Sequence, residues 1–526
     1  MKILVSDSLE QSCIDILSAE GYLVDNKPGI SVDELKKIIP EYDGLVVRSA
    51  TKVTEEIISL ATTLKVIGRA GTGVDNIDVE AATRRGILVM NTPGGNTVST
   101  AEHTVSMMLA LARNIPQAHM TLVQGKWDRK KFTGTEVFEK TIGVIGLGKI
   151  GREVAQRCQG LGMRVIGFDP VLSADVANKS NIEFVSLEEL YRRSDFITVH
   201  TPLTAETKAL LNKETMAMCK RGVRLINCAR GGIIEERALL EALTTGHVAG
   251  VALDVFEVEP PKDNPLLSHA GVVATPHLGA STEEAQEKVA IQIAHQIVDA
   301  LKSRGYSGVV NSAAIQMTLR DEVKPFVALA EKMGSFIAQT IAGKLTALTI
   351  SGYGETVSSS LPLLKASVIK GVLSHVMSEP VNIINAPFLA EEIGLTVGES
   401  HTTEKEDFSN VLRISYSGSG APRTISGTVF GSSTPRFVQL DGFRFEVRPE
   451  GDLLVYYNTD RPGMLAKVGA VLAKHGVNIA GVSLGRTAIG ANALTVMNID
   501  NEIPSSATQE LRSLEGVADL RLVRLG

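Results

Sequence analysis

Gly143-Val144-Ile145-Gly146-Leu147-Gly148-Lys149-Ile150-Gly151 is a glycine-rich turn between an apolar run and the helical pattern Arg152–Gln159. A strand leading into GxGxxG and then a helix is the arrangement that lets backbone N–H groups approach a pyrophosphate at the positive end of the helix. Lys149 and Ile150 lie inside the turn, and Asp169 follows Gly151 by 18 residues, at the end of the next apolar run. A carboxylate there accepts hydrogen bonds from the adenosine ribose hydroxyls and repels a 2′-phosphate, so the expected cofactor is NAD rather than NADP.

Working outward from this turn, the chain from Thr141 alternates short apolar runs with helical periods. The runs are Ile142–Gly146, Arg164–Asp169, Phe196–His200, Arg224–Ala229, Gly250–Asp254 and Val272–Thr275, six strands of a doubly wound dinucleotide fold. Before it, Ile3–Val5, Gly44–Arg48, Val66–Arg69 and Ile87–Asn91 alternate with helix-like stretches, the signature of a parallel sheet covered on both faces. Between the two series, Val98, Ala101, Val105, Met108, Leu109 and Ala112 recur at helical spacing and predict one long amphipathic helix over 97–113.

Composition narrows the function classes. The 526 residues carry 53 Lys and Arg against 59 Asp and Glu, a net charge of −6, which argues against a nucleic-acid or anionic-membrane surface. No apolar run reaches about 18 residues, so no membrane span is expected. Met1–Asp7 meets a charge too early for a signal peptide. The four cysteines, none in CxxC spacing, fit a reducing, cytoplasmic setting with no bound metal.

A hydride-transfer enzyme needs a base for the alcohol proton, a partner for that base, and a cation for a carboxylate. His277, Glu259 and Arg230 each follow a strand of the nucleotide sheet, on the side where ligands bind in such folds. Thr201, Cys228 and Asp254 line the same expected cleft. Arg48 and Arg69 end neighbouring strands of the first sheet, and paired guanidinium groups suit a phosphate.

GLGKIG (146–151), NCARGGIIEE (227–236), DVFEVEPP (254–261) and TPHLGAST (275–282) together resemble the D-isomer-specific 2-hydroxyacid dehydrogenases. VRSATKVT (47–54), GRAGTGVDNID (68–78) and the long tail are most similar to the members of that family that oxidise D-3-phosphoglycerate. The resemblance implies His277 as general base, oriented by Glu259, with Arg230 on the substrate carboxylate. It implies Gly71, Thr72, Gly73 and Asn96 beside the substrate, and Gly146, Gly148, Gly151, Gly279 and Ala280 beside NAD. It also implies a split, flavodoxin-like substrate domain (1–95, completed by 285–312, with Asn311 in its last strand) around a Rossmann-type NAD domain (96–284). Dimerisation through the helix at 97–113 and the segment 125–140 is implied, with Arg129, Lys130 and Lys131 reaching a neighbouring subunit in a homodimer or homotetramer. The alternatives are a dehydrogenase for glycerate or hydroxypyruvate and an NAD-sensing corepressor.

Beyond 315 the strands alternate polar and apolar residues, as in Arg423–Phe430 and Phe437–Val447, and predict a mixed α/β module with an exposed sheet to 452. It resembles the intervening domain of long family members. Residues 453–526 read as strand, helix, strand, strand, helix, strand, a ferredoxin-like βαββαβ unit similar to ACT domains. By that similarity Asn458, Asp460 and Asn478 would hold an amino-acid effector. L-serine, the end product of the pathway that D-3-phosphoglycerate oxidation begins, is the expected one.

Overall fold

Short Val/Ile/Leu runs bounded by turn residues become parallel strands because both faces of such a sheet are buried. In the computed structural model, which describes residues 1–171, 181–312, 321–377, 380–401 and 407–525, two sheets of this kind lie in the first 312 residues. The first has the order Leu23–Asn26, Lys2–Val5, Gly44–Val47, Val66–Arg69, Leu88–Asn91, all parallel, which is the flavodoxin-like arrangement. Leu23–Asn26 is short and largely exposed at the sheet edge, and no apolar run announces it.

The second sheet is the doubly wound one. Thr141–Ile145 lies at its centre, with Arg164–Phe168 and Glu183–Phe184 on one side. Phe196–Val199, Val223–Asn227, Val248–Leu253 and Val272–Ala274 lie on the other. It has seven strands rather than six; Glu183–Phe184 is two residues long, too short to leave a pattern. The 3-2-1-4 order places the switch point beside Thr141–Ile145, directly under the glycine turn.

Two helices join the lobes. Thr97–Arg113 spans the predicted range, with Ala101, Met108, Leu111 and Ala112 buried. Glu283–Leu301 begins at Thr282, whose hydroxyl accepts the Ala285 N–H at 3.2 Å. It packs Val289, Ala290, Ile293, Ala294 and Ile297 into the core of the first lobe, returning the chain there. Asn311 lies past the last strand rather than in it. Val309 makes an isolated antiparallel bridge to Met90, and the Asn311 side chain accepts Val89 N–H at 2.9 Å and donates to Ile87 O at 2.8 Å. The boundary at 315 falls outside the described residues.

The tail holds a six-stranded mixed sheet and a four-stranded antiparallel one. In the first, Phe437–Val447 divides into two strands, Thr434–Leu440 and Phe443–Val447, around the turn at Asp441. The last sheet runs Ile479–Arg486, Asn492–Ile499, Asp452–Thr459, Val517–Arg524, with helices Met464–Lys474 and Ser505–Ser513 on one face. Its other face shares a core with the preceding module: Leu453, Val455, Leu494 and Val496 pack with Phe336, Phe437 and Phe445. Half-buried Arg423 spans this joint, donating to Asp441 at 2.8 Å and to the Tyr457 hydroxyl at 2.9 Å. The preceding module also grips the first lobe. Asn382 donates to Gly86 O at 2.8 Å, Arg84 stacks on Phe388 at 5.3 Å, and Ile384 enters the core around Leu88 and Met90. Among the described residues no helix is long and apolar enough to cross a membrane.

Candidate active site

The cofactor turn is built by exclusion of side chains. Gly146 has φ +92°, and a Cβ there would lie 2.6 Å from His200 O; on Gly151 it would lie 2.0 Å from Gly146 O. Only glycine holds this turn against the Lys149–Gly160 helix. A Cβ on Gly148, by contrast, would meet no atom within 4 Å, so the helix N-terminus faces open space. Lys149 is exposed beside it, its ammonium 3.5 Å from Pro93 O, and Ile150 is half-buried. The Asp169 carboxylate accepts Leu147 N–H at 2.8 Å and Val171 N–H at 2.9 Å, which fixes it at the mouth of the turn. Thr201, against Gly146, has a buried hydroxyl with no hydrogen-bond partner among the described residues. An open amide-lined cradle, a carboxylate at the next strand end and an unsatisfied hydroxyl in the cleft together fit a dinucleotide.

Beyond the strands of the same sheet stands the histidine. His277 follows Pro276 with φ +55°, a left-handed conformation that is uncommon outside glycine. Asp254 holds it there. Its backbone oxygen accepts His277 N–H at 2.9 Å, while its carboxylate accepts Thr275 Oγ1 at 2.6 Å, Leu278 N–H at 2.7 Å and Gly279 N–H at 2.9 Å. His103, from the long helix, adds a 3.1 Å contact to the same carboxylate. Burial pushes the Asp254 carboxyl up, but the bonds from His103, Thr275 and Leu278 outweigh it and hold it below the usual carboxylate range. The Gly279 carbonyl accepts Ser99 and Thr100 hydroxyls at 2.7 and 3.1 Å, and Ala280 follows it half-buried.

The His277 side chain, half exposed, places Nδ1 2.8 Å from Glu259 Oε2, and Glu259 Oε1 accepts Phe256 N–H at 3.1 Å. An imidazole so tethered keeps its other nitrogen for a proton. The deeper cluster of His103, Cys228 and Asp254 has its ligand atoms within 4.8 Å, close enough for a metal ion. The Asp254 carboxylate is already engaged by Thr275, Leu278, Gly279 and His103, so its oxygens serve the loop's hydrogen bonds; burial pushes the Cys228 thiol up to about 12.

Arg230 follows Val223–Asn227 and reaches across to the other lobe. A Cβ on Gly73 would lie 1.9 Å from its Nη2, so Gly73 lets the guanidinium lie against the backbone. Arg69 stands next to it: Nε donates to Asn76 at 2.9 Å, and Gly71 abuts Nη1. Burial, then the Arg230 and Arg48 charges, lower the Arg69 guanidinium to about 10, still cationic at neutral pH. Arg48 donates to Ser8 O at 3.2 Å and Gln286 at 3.4 Å. Thr72 donates to Asn96 Oδ1 at 2.7 Å, and Gly71 N–H to Thr92 at 2.8 Å. Three cations and a glycine loop therefore converge, with Asn76 fixing two of their loops through Arg48 O and Thr51 O. Asp75, in the same loop, accepts Arg230 Nε–H at 3.1 Å; the roles of His103, Asn76 and Asp75 were not read from the sequence, although Asp75 and Asn76 lie inside the quoted GRAGTGVDNID.

In the tail the three amide and carboxylate groups separate. Asn458 is 5% exposed and turns inward, accepting Thr495 Oγ1 at 3.0 Å. Asp460 accepts Arg486 at 3.0 Å and Gly490 N–H at 3.2 Å, rather than capping the helix after it. Asn478 donates to Asp500 at 2.5 Å at the opposite end of strand Ile479–Arg486, about 26 Å along it. Arg129–Phe132 forms an exposed turn of 3₁₀ helix.

Residues 105–279 match the D-isomer specific 2-hydroxyacid dehydrogenase, NAD binding domain; 322–441 match the D-3-phosphoglycerate dehydrogenase intervening domain; and 452–516 match the ACT domain. D-3-phosphoglycerate dehydrogenase of Synechocystis is 42% identical over all of this chain and 95% of its own length. That of Methanocaldococcus jannaschii is 41% identical over the whole of both. The solved NAD-dependent formate dehydrogenase from Staphylococcus aureus in complex with NAD is 30% identical, with a TM-score of 0.53 over 58% of this chain and 97% of that one. The chain belongs to the D-isomer-specific 2-hydroxyacid dehydrogenases, NAD-dependent oxidoreductases, and within them to the D-3-phosphoglycerate dehydrogenases that carry an intervening and an ACT domain.

Proposed function

We propose that this chain oxidises D-3-phosphoglycerate to 3-phosphohydroxypyruvate with NAD, the first step of the phosphorylated route to L-serine. The observation that carries the reading is the tethered His277–Glu259 pair beside a cleft where Arg48, Arg69 and Arg230 converge. Arg230 and the Thr72 and Gly73 amides of the Gly71–Gly73 loop hold the substrate carboxylate, with Asn96 beside it, and Arg48 and Arg69 hold the phosphate. His277 Nε2 takes the proton of the C2 hydroxyl while Nδ1–H donates to Glu259, whose charge stabilises the imidazolium that forms. NAD supplies the two-electron acceptor for C2. Gly146, Gly148, Lys149, Ile150 and Gly151 bind its pyrophosphate and Asp169 its ribose. Thr201, Cys228, Asp254, Gly279 and Ala280 line the nicotinamide side. The test is spectrophotometric, following NADH with D-3-phosphoglycerate, D-glycerate and D-lactate under a hydrazine trap. No signal specific to the phosphorylated acid would overturn the reading.

The phosphate assignment has its own expected outcome. Arg48→Ala and Arg69→Ala each remove one charge-assisted contact of about 1.5–3 kcal/mol, so the KM for D-3-phosphoglycerate rises ten- to hundredfold. The KM for NAD should stay within twofold. Equal rises in both would remove these arginines from the phosphate site.

We further propose domain limits of 1–95 with 285–312, 96–284, 315–452 and 453–526, a cytoplasmic location, and a homodimer or homotetramer. All four cysteines are free and buried, which suits a reducing compartment. The exposed Ile115, Met120, Leu122, Val123, Trp127 and Phe138 suit a second copy on the nucleotide lobe. Strand Ile479–Arg486 is an eight-residue sheet edge with Val482 and Leu484 exposed. Antiparallel pairing of two such edges brings Asp460 of one copy beside Asn478 of the other, and L-serine is the proposed ligand there, with Asn458 behind. Millimolar L-serine should inhibit the protein, and Asn478→Ala should abolish inhibition. A mutant inhibited as strongly as wild type would sink this site.

A further inference from the structure

We propose that Asp75 is the resident carboxylate of Arg230, exchanged for the substrate's carboxylate at each turnover and setting how strongly an acid must bind to enter. This rests on the anion site proposed above. Arg230 belongs to the nucleotide lobe and Asp75 to the loop after strand Val66–Arg69 in the other lobe, so their 3.1 Å contact from Nε to Oδ2 crosses the cleft. The same contact sits where a Cβ on Gly73 would meet both side chains, at 1.9 and 2.7 Å. Asp75 therefore occupies the approach to the guanidinium from the glycine loop.

Among the described residues, Asp7 and Asp75 are the carboxylates whose charge reaches Arg69, and they differ in kind. Asp7 is buried, and accepts the Arg48 and Thr51 N–H groups and the Thr51 hydroxyl at 2.6–3.2 Å; it is part of the frame. Asp75 is 70% exposed and makes a single, monodentate contact. An exposed, monodentate pair of this kind is weak enough to exchange on every cycle. It still matters, because an acceptor site occupied by an internal competitor loses apparent affinity in proportion to its free fraction. At about 1 kcal/mol the internal carboxylate raises the apparent Kd for an incoming acid roughly fivefold.

The substitution Asp75→Asn keeps shape and removes charge. The KM for D-3-phosphoglycerate should fall about three- to fivefold, the KM for unphosphorylated 2-hydroxy acids should fall by the same factor, and kcat should change far less. Asp75→Glu should return KM toward wild type. Binding of oxamate to the protein–NADH complex, read by NADH fluorescence, should tighten by the same factor in Asp75→Asn. An unchanged or raised KM together with unchanged or weaker oxamate binding would overturn the proposal. A fall in kcat as large as the change in KM would also overturn it, making Asp75 an orienting group for Arg230. The oxamate comparison decides on Asp75 even if wild type prefers another 2-hydroxy acid, so the two readings fail separately.

Discussion

Replacing His277 with asparagine is expected to lower kcat by about three orders of magnitude while leaving NADH binding intact. Removal of a positioned base costs about 10²–10⁴ in rate. Asparagine is the informative choice because His277 sits at φ +55°, a conformation asparagine tolerates better than other non-glycine residues, so the backbone of the loop is not disturbed. The Asn amide can keep the bond to Glu259 but cannot take a proton. Turnover should be followed at substrate saturation and NADH binding by fluorescence. A variant that retains a tenth of wild-type kcat would remove His277 from the base role. Loss of NADH affinity in parallel would point to damage of the loop rather than of the chemistry.

The second large effect is expected at Asp254, through structure before chemistry. Asp254→Ala leaves Thr275, His103 and the amides of Leu278 and Gly279 without their shared acceptor, in a place where water has no access to the Asp254 side chain. Breaking such a buried charged network costs about 3 kcal/mol or more. Unfolding of the nucleotide lobe, followed by calorimetry, should move down by about 10 °C. Because the folded carboxyl lies below its ordinary value, the contribution is complete above about pH 4. It fades as pH falls through the depressed value. Wild type should therefore lose its advantage over the variant only in strong acid. A variant melting within 2 °C of wild type at neutral pH would refute the account.

The two lobes and the cofactor turn were legible because each rests on a local rule. Parallel strands buried on both faces must be apolar runs, and a glycine turn between strand and helix has one dominant use. The His277, Glu259 and Arg230 positions followed from their places after strands. What stayed hidden depends on pairing across the chain. His103 reads as one histidine on a helix, and nothing in its neighbours says that Asp254, 151 residues on, will meet it. Asp75 looks like a turn residue until Arg230 arrives from the other lobe. Asn458 looked available, but the alternation of its strand turns it toward Thr495. Asp460 and Asn478 share one short unit in sequence, yet strand direction sends them to opposite ends.

The joint between Asn382 and Gly86, with Arg84 on Phe388, is where the tail meets the first lobe. It fastens the tail to the jaw that carries Arg48 and Arg69, at the root of strand Leu88–Asn91, whose far end leads into the Thr92–Asn96 turn. A change in the tail's packing therefore meets that jaw before it meets the dinucleotide lobe. The amino-acid effector proposed for the tail is expected to act through the lobe that carries Arg48 and Arg69 and to leave NADH affinity unchanged, which NADH fluorescence titrations with and without L-serine would check.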